Sequence, residues 1–130
     1  VIEVVEGALD LGDVAKAEQY LDSMESLRPG ETAPFFLAQS ARLRARLAAR
    51  RGDDGADGLL RDAATRFRRL GYDFWLAVTL LEHGEWLVAE GRSRGADDLL
   101  GEARAIFQRL GAPPWLERVG RAAEALDLPA

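Results

Sequence analysis

Residues 56–76 read ADGLLRDAATRFRRLGYDFWL, and residues 96–116, 40 positions further on, read ADDLLGEARAIFQRLGAPPWL. The two stretches are identical at 11 of 21 positions: Ala56, Asp57, Leu59, Leu60, Ala63, Phe67, Arg69, Leu70, Gly71, Trp75 and Leu76 recur as Ala96, Asp97, Leu99, Leu100, Ala103, Phe107, Arg109, Leu110, Gly111, Trp115 and Leu116. Ala56, Leu60, Ala63, Phe67 and Leu70 are spaced by four and three, which puts them on one face of an α-helix. The Gly that follows Leu70 or Leu110 is a helix stop, because glycine enters the left-handed conformation without steric cost. A single amphipathic segment of this kind cannot bury its apolar face alone, so a tandem copy predicts units that stack and share a core. A looser copy lies upstream at a shift of 39, where Ala17, Tyr20, Leu21 and Met24 stand for Ala56, Leu59, Leu60 and Ala63.

Working outward, the same three-and-four spacing fills the chain, and no alternating run of β-branched and aromatic residues interrupts it. The punctuation divides it into helices at about 1–11, 14–28, 34–51, 55–70, 74–91, 95–110 and 114–126. Starts are expected at Asp13, at Thr32 before Pro34, at Asp53 or Asp54, at Asp73, at Ser93 and at Pro113-Pro114. Stops are expected at Gly12, Pro29-Gly30, Gly52, Gly71, Gly91 and Gly111. The fold class is therefore all-α: a single repeat domain over 1–130, with helix pairs at about 1–28, 34–70 and 74–110 and a capping helix at 114–126. The chain begins inside a periodic pattern and reads as a piece of a longer protein.

Composition narrows the functions. A chain of 130 residues with 48% hydrophobic content can bury a real core. The formal charge of -5 disfavours nucleic acid as the main ligand, since phosphate binding needs clustered surplus cation. With no cysteine there is no disulfide or thiolate, and a reducing cytoplasm is the natural setting. No apolar run reaches the ~20 residues of a membrane span. Only Lys16 of the 17 basic residues is lysine, a bias that carries no functional weight.

The third pair shows a recognisable grammar. Leu80, Gly84, Leu87, Gly91, Ala96, Leu100 and Ala103 resemble the tetratricopeptide (TPR) pattern of large, small and large residues, a turn glycine, then small, large and small. Gly12, Ala17, Leu21, Met24 and Pro29 repeat its second half. The unit is about 40 residues where the family has 34. The phrase LLEHGEWLVAEGR at 80–92 and the recurring F-x-R-L-G look like the C-terminal repeat regions of large bacterial signalling proteins, among them LuxR-type regulators with an AAA-type ATPase core and adenylate cyclase-like multidomain proteins. The resemblance implies an antiparallel helix-pair solenoid whose small residues let paired helices approach closely. It also implies a concave binding face built from the first helix of each pair, which falls here on Ile2, Glu6, Leu9, Ala41, Ala45, Ala48, Val78, Leu81, Glu85 and Val88.

Signals for chemistry are weak. His83 is the only histidine, its His-Gly-Glu context does not make the His-Glu-x-x-His zinc spacing, and it is expected to be a partly buried structural residue. The run Asp53-Asp54-Gly55-Ala56-Asp57-Gly58 lacks calcium ligands at its third position, Gly55, and its twelfth, Ala64, and reads as a helix-capping turn. No phosphate loop and no credible nucleophile triad is present, so no enzyme activity, cofactor or metal is expected. Arg42, Arg46 and Arg50 share one helical stripe, flanked by Arg44 and Arg51. They suit either an acidic peptide or, more simply, ion pairs to a neighbouring repeat, with Glu82, Glu85 and Glu90 as the acids expected there. Trp86 is read as a packing residue or an exposed anchor, and the repeat-equivalent Trp75 and Trp115 as inter-repeat or staple-like contacts. The expected function is a protein or peptide interaction module, or an intramolecular regulatory or scaffold module, with small-ligand sensing and homo-oligomerisation as the other readings.

Overall fold

The computed structural model describes residues 2–26 and 34–127, with the side chains of residues 5–22 and 34–126. Among these residues it is all-helical, with no strand: α1 (Ile2–Asp10), α2 (Val14–Ser26), α3 (Pro34–Arg50), α4 (Ala56–Leu70), α5 (Asp73–Ala89), α6 (Ala96–Leu110) and α7 (Pro113–Asp127). The expectations placed on Thr32, on Pro29-Gly30 and on the end of the second helix at 27–28 lie outside the described residues. No described helix is long and apolar enough to cross a membrane.

The repeat seen in sequence is also a repeat of structure. Helices α4 and α6 begin and end 40 residues apart. Each buries the same stripe, Ala56, Leu60, Ala63 and Phe67 in α4 and Ala96, Leu100, Ala103 and Phe107 in α6.

The glycine stops work as their chemistry requires. At Gly52 and Gly91 φ is 69° and 70°, and the amides of Asp53 and Arg92 donate to the carbonyls of Ala48 and Leu87 at 2.9 and 2.8 Å, closing the last turn of α3 and of α5. Counting such closing residues as helical made the sequence estimates for α3 and α5 one to two residues too long. Asp13 caps α2, its Oδ1 accepting from the Lys16 amide at 3.1 Å. Asp53 accepts from the Gly55 amide at 2.8 Å, an Asx turn that leads into α4. Ser93 does not cap α6: the N-cap is Gly95, at φ 89°, with no side-chain hydrogen bond. Asp73 is the first residue of α5 rather than its cap, which falls to Tyr72.

The chain forms two compact units, Val1–Leu70 and Gly71–Ala130. In the first, α1 pairs with α2, α3 pairs with α4, and both α1 and α2 pack on α3. Val5, Leu9, Ala17 and Leu21 close over Leu43 and Leu47, with Val14, Tyr20 and Phe36 at the edge. Phe67 of α4 is fully buried and meets Phe35 of α3 edge-on, with 6.4 Å between ring centres; burial of one such side chain stabilises by about 1.5–3 kcal/mol.

In the second unit α5 and α6 form a tight hairpin and α7 packs on both. The hairpin is tight because Gly84 has no side chain. A Cβ there would stand 2.7 Å from Leu100 Cδ2 and 2.9 Å from its Cγ, well inside van der Waals contact. Leu100 is itself buried and has little room to give way. The small residue that the repeat grammar placed at 84 thus faces the large one it placed at 100.

Two of the three helical glycines of this unit, Gly84 and Gly120, predict opposite outcomes. Gly84→Ala is expected to destabilise by about 1–2 kcal/mol, the overpacking cost exceeding the gain in helix propensity. Gly120→Ala in α7, where a Cβ would meet nothing within 4 Å, is expected to stabilise by about 0.5–1 kcal/mol. Urea unfolding of the two variants beside the parent chain checks both signs.

Candidate functional site

Two places bring sequence-predicted residues together, one in each unit. In the first, Leu43 and Leu47 of α3 face the α1–α2 pair, so the arginines on either side of that stripe are carried to its edges. Arg42 donates through Nη2 to Glu6 and through Nε to Gln39 Oε1 at 3.0 Å. One turn on, Arg46 reaches Asp10 at 2.8 Å. Each of these two pairs spans 36 residues, so α1 and α3 run side by side in the same direction. On the other edge Arg44 pairs with Asp22, and Arg51 with Glu18, both of α2. The acids that meet the arginine stripe within this unit therefore come from α1 and α2, an arrangement the sequence reading did not single out.

Arg42 is only 1% exposed and Glu6 29%, so this pair sits largely out of water while the other three are surface pairs. A surface pair contributes about 0–1 kcal/mol. A buried guanidinium is different: removing its counter-ion leaves a desolvated charge. Gln39 is fully buried beside it, and its Nε2 finds no acceptor among the described residues.

The second place lies between α5 and α7. Pro113 opens α7, and Trp115 then stacks on Phe107, with 5.5 Å between centres and 18° between planes, while meeting Phe74 edge-on at 5.5 Å. Val119, one turn later, is fully buried. Of the two contacts expected for Trp115, inter-repeat or staple-like, this is one between helices, onto α6 and α5, and not a staple within α7. Arg118, three residues after Trp115, lies with its guanidinium over the indole at 5.4 Å and forks onto the Glu85 carboxylate, Nε to Oε2 at 2.7 Å and Nη2 to Oε1 at 2.6 Å. Beside this pair opens a cleft of about 320 Å3 lined by Glu85, Val88 and Ala89 of α5 and Arg118, Arg121 and Ala122 of α7. Arg121 stands exposed at its rim, with no carboxylate partner among the described residues.

The implied concave residues are distributed unevenly. Leu9, Ala45, Ala48, Val78 and Leu81 are buried, their side chains part of the packed interior. Ala41 and Val88 are partly exposed, and Ile2 lies on α1 with its side chain outside the described ones. Glu6 is the counter-ion of Arg42, and Glu85 that of Arg118. Trp86 is partly buried, with Arg92 over its ring at 5.4 Å and the buried His83 6.3 Å away. No group of three acidic or histidine side chains suited to a metal occurs among the described residues.

Sequence reasoning found Glu85 and Val88 but missed Arg118 and Arg121, having read α7 only as a cap. A signal was present. At the repeat shift of 40, Arg118 and Arg121 are the equivalents of Val78 and Leu81, two positions of the implied concave face. No family model, no curated protein and no solved structure matches the chain.

The buried pair makes a quantitative prediction. Glu6→Ala, which takes a carboxylate away from the buried Arg42, is expected to cost about 2–4 kcal/mol, while Glu6→Leu with Arg42→Met recovers most of that loss. Asp10→Ala, at a surface pair, is expected to cost under about 1 kcal/mol. Chemical denaturation of the double-mutant cycle measures all three.

Proposed function

We propose that this chain is a protein-interaction or regulatory scaffold module, a TPR-like array serving a larger signalling protein, and that the cleft between α5 and α7 takes a short segment of a partner protein. The observation that carries the reading is the cleft itself. Its floor is apolar and small, Val88, Ala89 and Ala122, and its rim holds the exposed guanidinium of Arg121 beside the Glu85–Arg118 fork. Small apolar side chains leave room for a side chain of the partner, and a rim arginine supplies directional hydrogen bonds to its main chain or carboxylates. The fork stiffens the wall by tying α7 to α5, so little ordering cost is left for the binding step. The tandem helix hairpins support the same reading, because repeat arrays present long surfaces and work by shape.

A second reading, small-ligand sensing, is favoured by one observation. The cleft's volume of about 320 Å3 sits at the lower end of small-molecule sites, roughly 300–1,000 Å3.

The test is affinity capture with the intact chain, identification of the bound protein, and measurement of its binding by calorimetry to the parent chain and to Val88→Glu with Arg121→Glu. Both substitutions are at accessible positions and should leave the helical circular dichroism unchanged. A partner that binds the parent at least tenfold more tightly than the variant supports the cleft. Equal binding to both, or no partner, overturns it. A metabolite that raises the melting temperature of the parent and not of the variant replaces it by the sensing reading.

A further inference from the structure

The junction between α3 and the α1–α2 hairpin is segregated by charge. Residues 34–51 hold five arginines, Arg42, Arg44, Arg46, Arg50 and Arg51, and no acid, whereas residues 1–26 hold seven acids against the single Lys16. Across the junction, among the described residues, four pairs run in one sense, with α3 and the residue that follows it giving the cation and α1 or α2 the anion: Arg42 to Glu6, Arg46 to Asp10, Arg44 to Asp22, Arg51 to Glu18. Within its unit the hairpin packs on α3.

The apolar part of this contact, Val5, Leu9, Ala17 and Leu21 over Leu43 and Leu47, would accept many amphipathic hairpins. Charge does the selecting. A hairpin bearing cations at these edges would set like charges against the arginines and leave Arg42 buried without a counter-ion, whereas an acidic one satisfies every pair. None of these contacts depends on which chain supplies the hairpin.

We infer that the arginine face of α3 is a docking surface keyed to an acidic helix hairpin, and that it accepts the α1–α2 hairpin of a second copy of this chain as well as its own. The pairing in trans uses the same apolar stripe and the same four ion pairs, reciprocally, so the complex is a closed exchange of identical elements between two copies. This inference stands apart from the α5–α7 cleft, which shares none of its residues.

Two full-length variants with reversed charges test it, both keeping the Arg42–Glu6 pair. One carries Arg44→Glu, Arg46→Glu and Arg51→Glu; the other carries Asp10→Arg, Glu18→Arg and Asp22→Arg. Each alone sets like charges against like at the junction and is expected to be a monomer with a loosened hairpin. Mixed, they are expected to form a one-to-one dimer of twice the monomer mass by light scattering and native mass spectrometry, because each hairpin now matches only the other chain's α3. Raising the salt to about 1 M, where the screening length falls to about 3 Å, is expected to weaken that dimer at least tenfold. A mixture that stays monomeric overturns the inference. A third variant with all six changes in one chain restores complementarity in cis and guards against simple misfolding. It is expected to be more stable than either parent variant, and equal or lower stability shows that charge does not key the junction and overturns the inference as well.

Discussion

The architecture of the second unit depends on one close contact, the passage of Leu100 over the bare backbone of Gly84. With the Cβ missing there, α5 and α6 approach until Leu100 is buried, and the rest of α6 is fixed in register along α5. That register sets Phe107 against Phe74, with 6.0 Å between ring centres, and makes the aromatic surface on which Trp115 stacks. Trp115 seats the start of α7, and the helical repeat then carries Arg118 to Glu85 and Val119 into the interior. The cleft beside Arg121 is the last consequence of this chain of contacts, and its floor is only as well defined as the hairpin crossing beneath it. A helix glycine is intrinsically destabilising; at position 84 the packing gained across the hairpin offsets that cost, because close-packed interiors reward complementary shape with many small dispersion contacts.

The first unit uses a different balance. Its apolar stripe of valine, alanine and leucine supplies the burial, while arginines of α3 and acids of α1 and α2 line its edges. Three of the four pairs are exposed to water and contribute little net stability, since solvent screening and side-chain entropy offset most of the attraction. Their effect is on which element docks and in which register. The shared spacing of 36 residues in Arg42–Glu6 and Arg46–Asp10 locks α1 to α3 in one alignment, because a shift of one residue would swing both acids away from their arginines. The buried Arg42 raises the penalty for any other arrangement, as an uncompensated guanidinium out of water costs far more than a lost surface pair.

Much of this was legible in the residues, for reasons that are local. Helices could be read because the three-and-four spacing of Ala56, Leu60, Ala63 and Phe67 and its copy at Ala96, Leu100, Ala103 and Phe107 has no strand equivalent. Their ends could be read because Gly12, Gly52, Gly71, Gly91 and Gly111 all adopt the left-handed conformation that other residues avoid. Ser93 misled, since a serine before a helix is an ordinary cap, but here the turn runs through a second left-handed glycine, Gly95, which takes that place. The implied concave floor was legible only in part: Glu85 and Val88 line open space, while Leu9, Ala45 and Leu81 lie on neighbouring helix faces that close against the interior.

The sequence by itself determined the fold class, the helix count and the repeat, because each depends on residues a few positions apart or on a recurrence of such a pattern, while the crossing of Leu100 over Gly84 was only implied by a family resemblance. Tertiary structure alone decided which charges meet. Arg42 faces Glu6 and Arg118 faces Glu85 across 36 and 33 residues of chain, and one-dimensional spacing does not say which helix lies opposite an arginine or how deeply a long side chain is buried. The cleft also belongs to the structure, since it is the space left between two helices whose separation is set by Phe107 and Trp115 rather than by any residue that lines it.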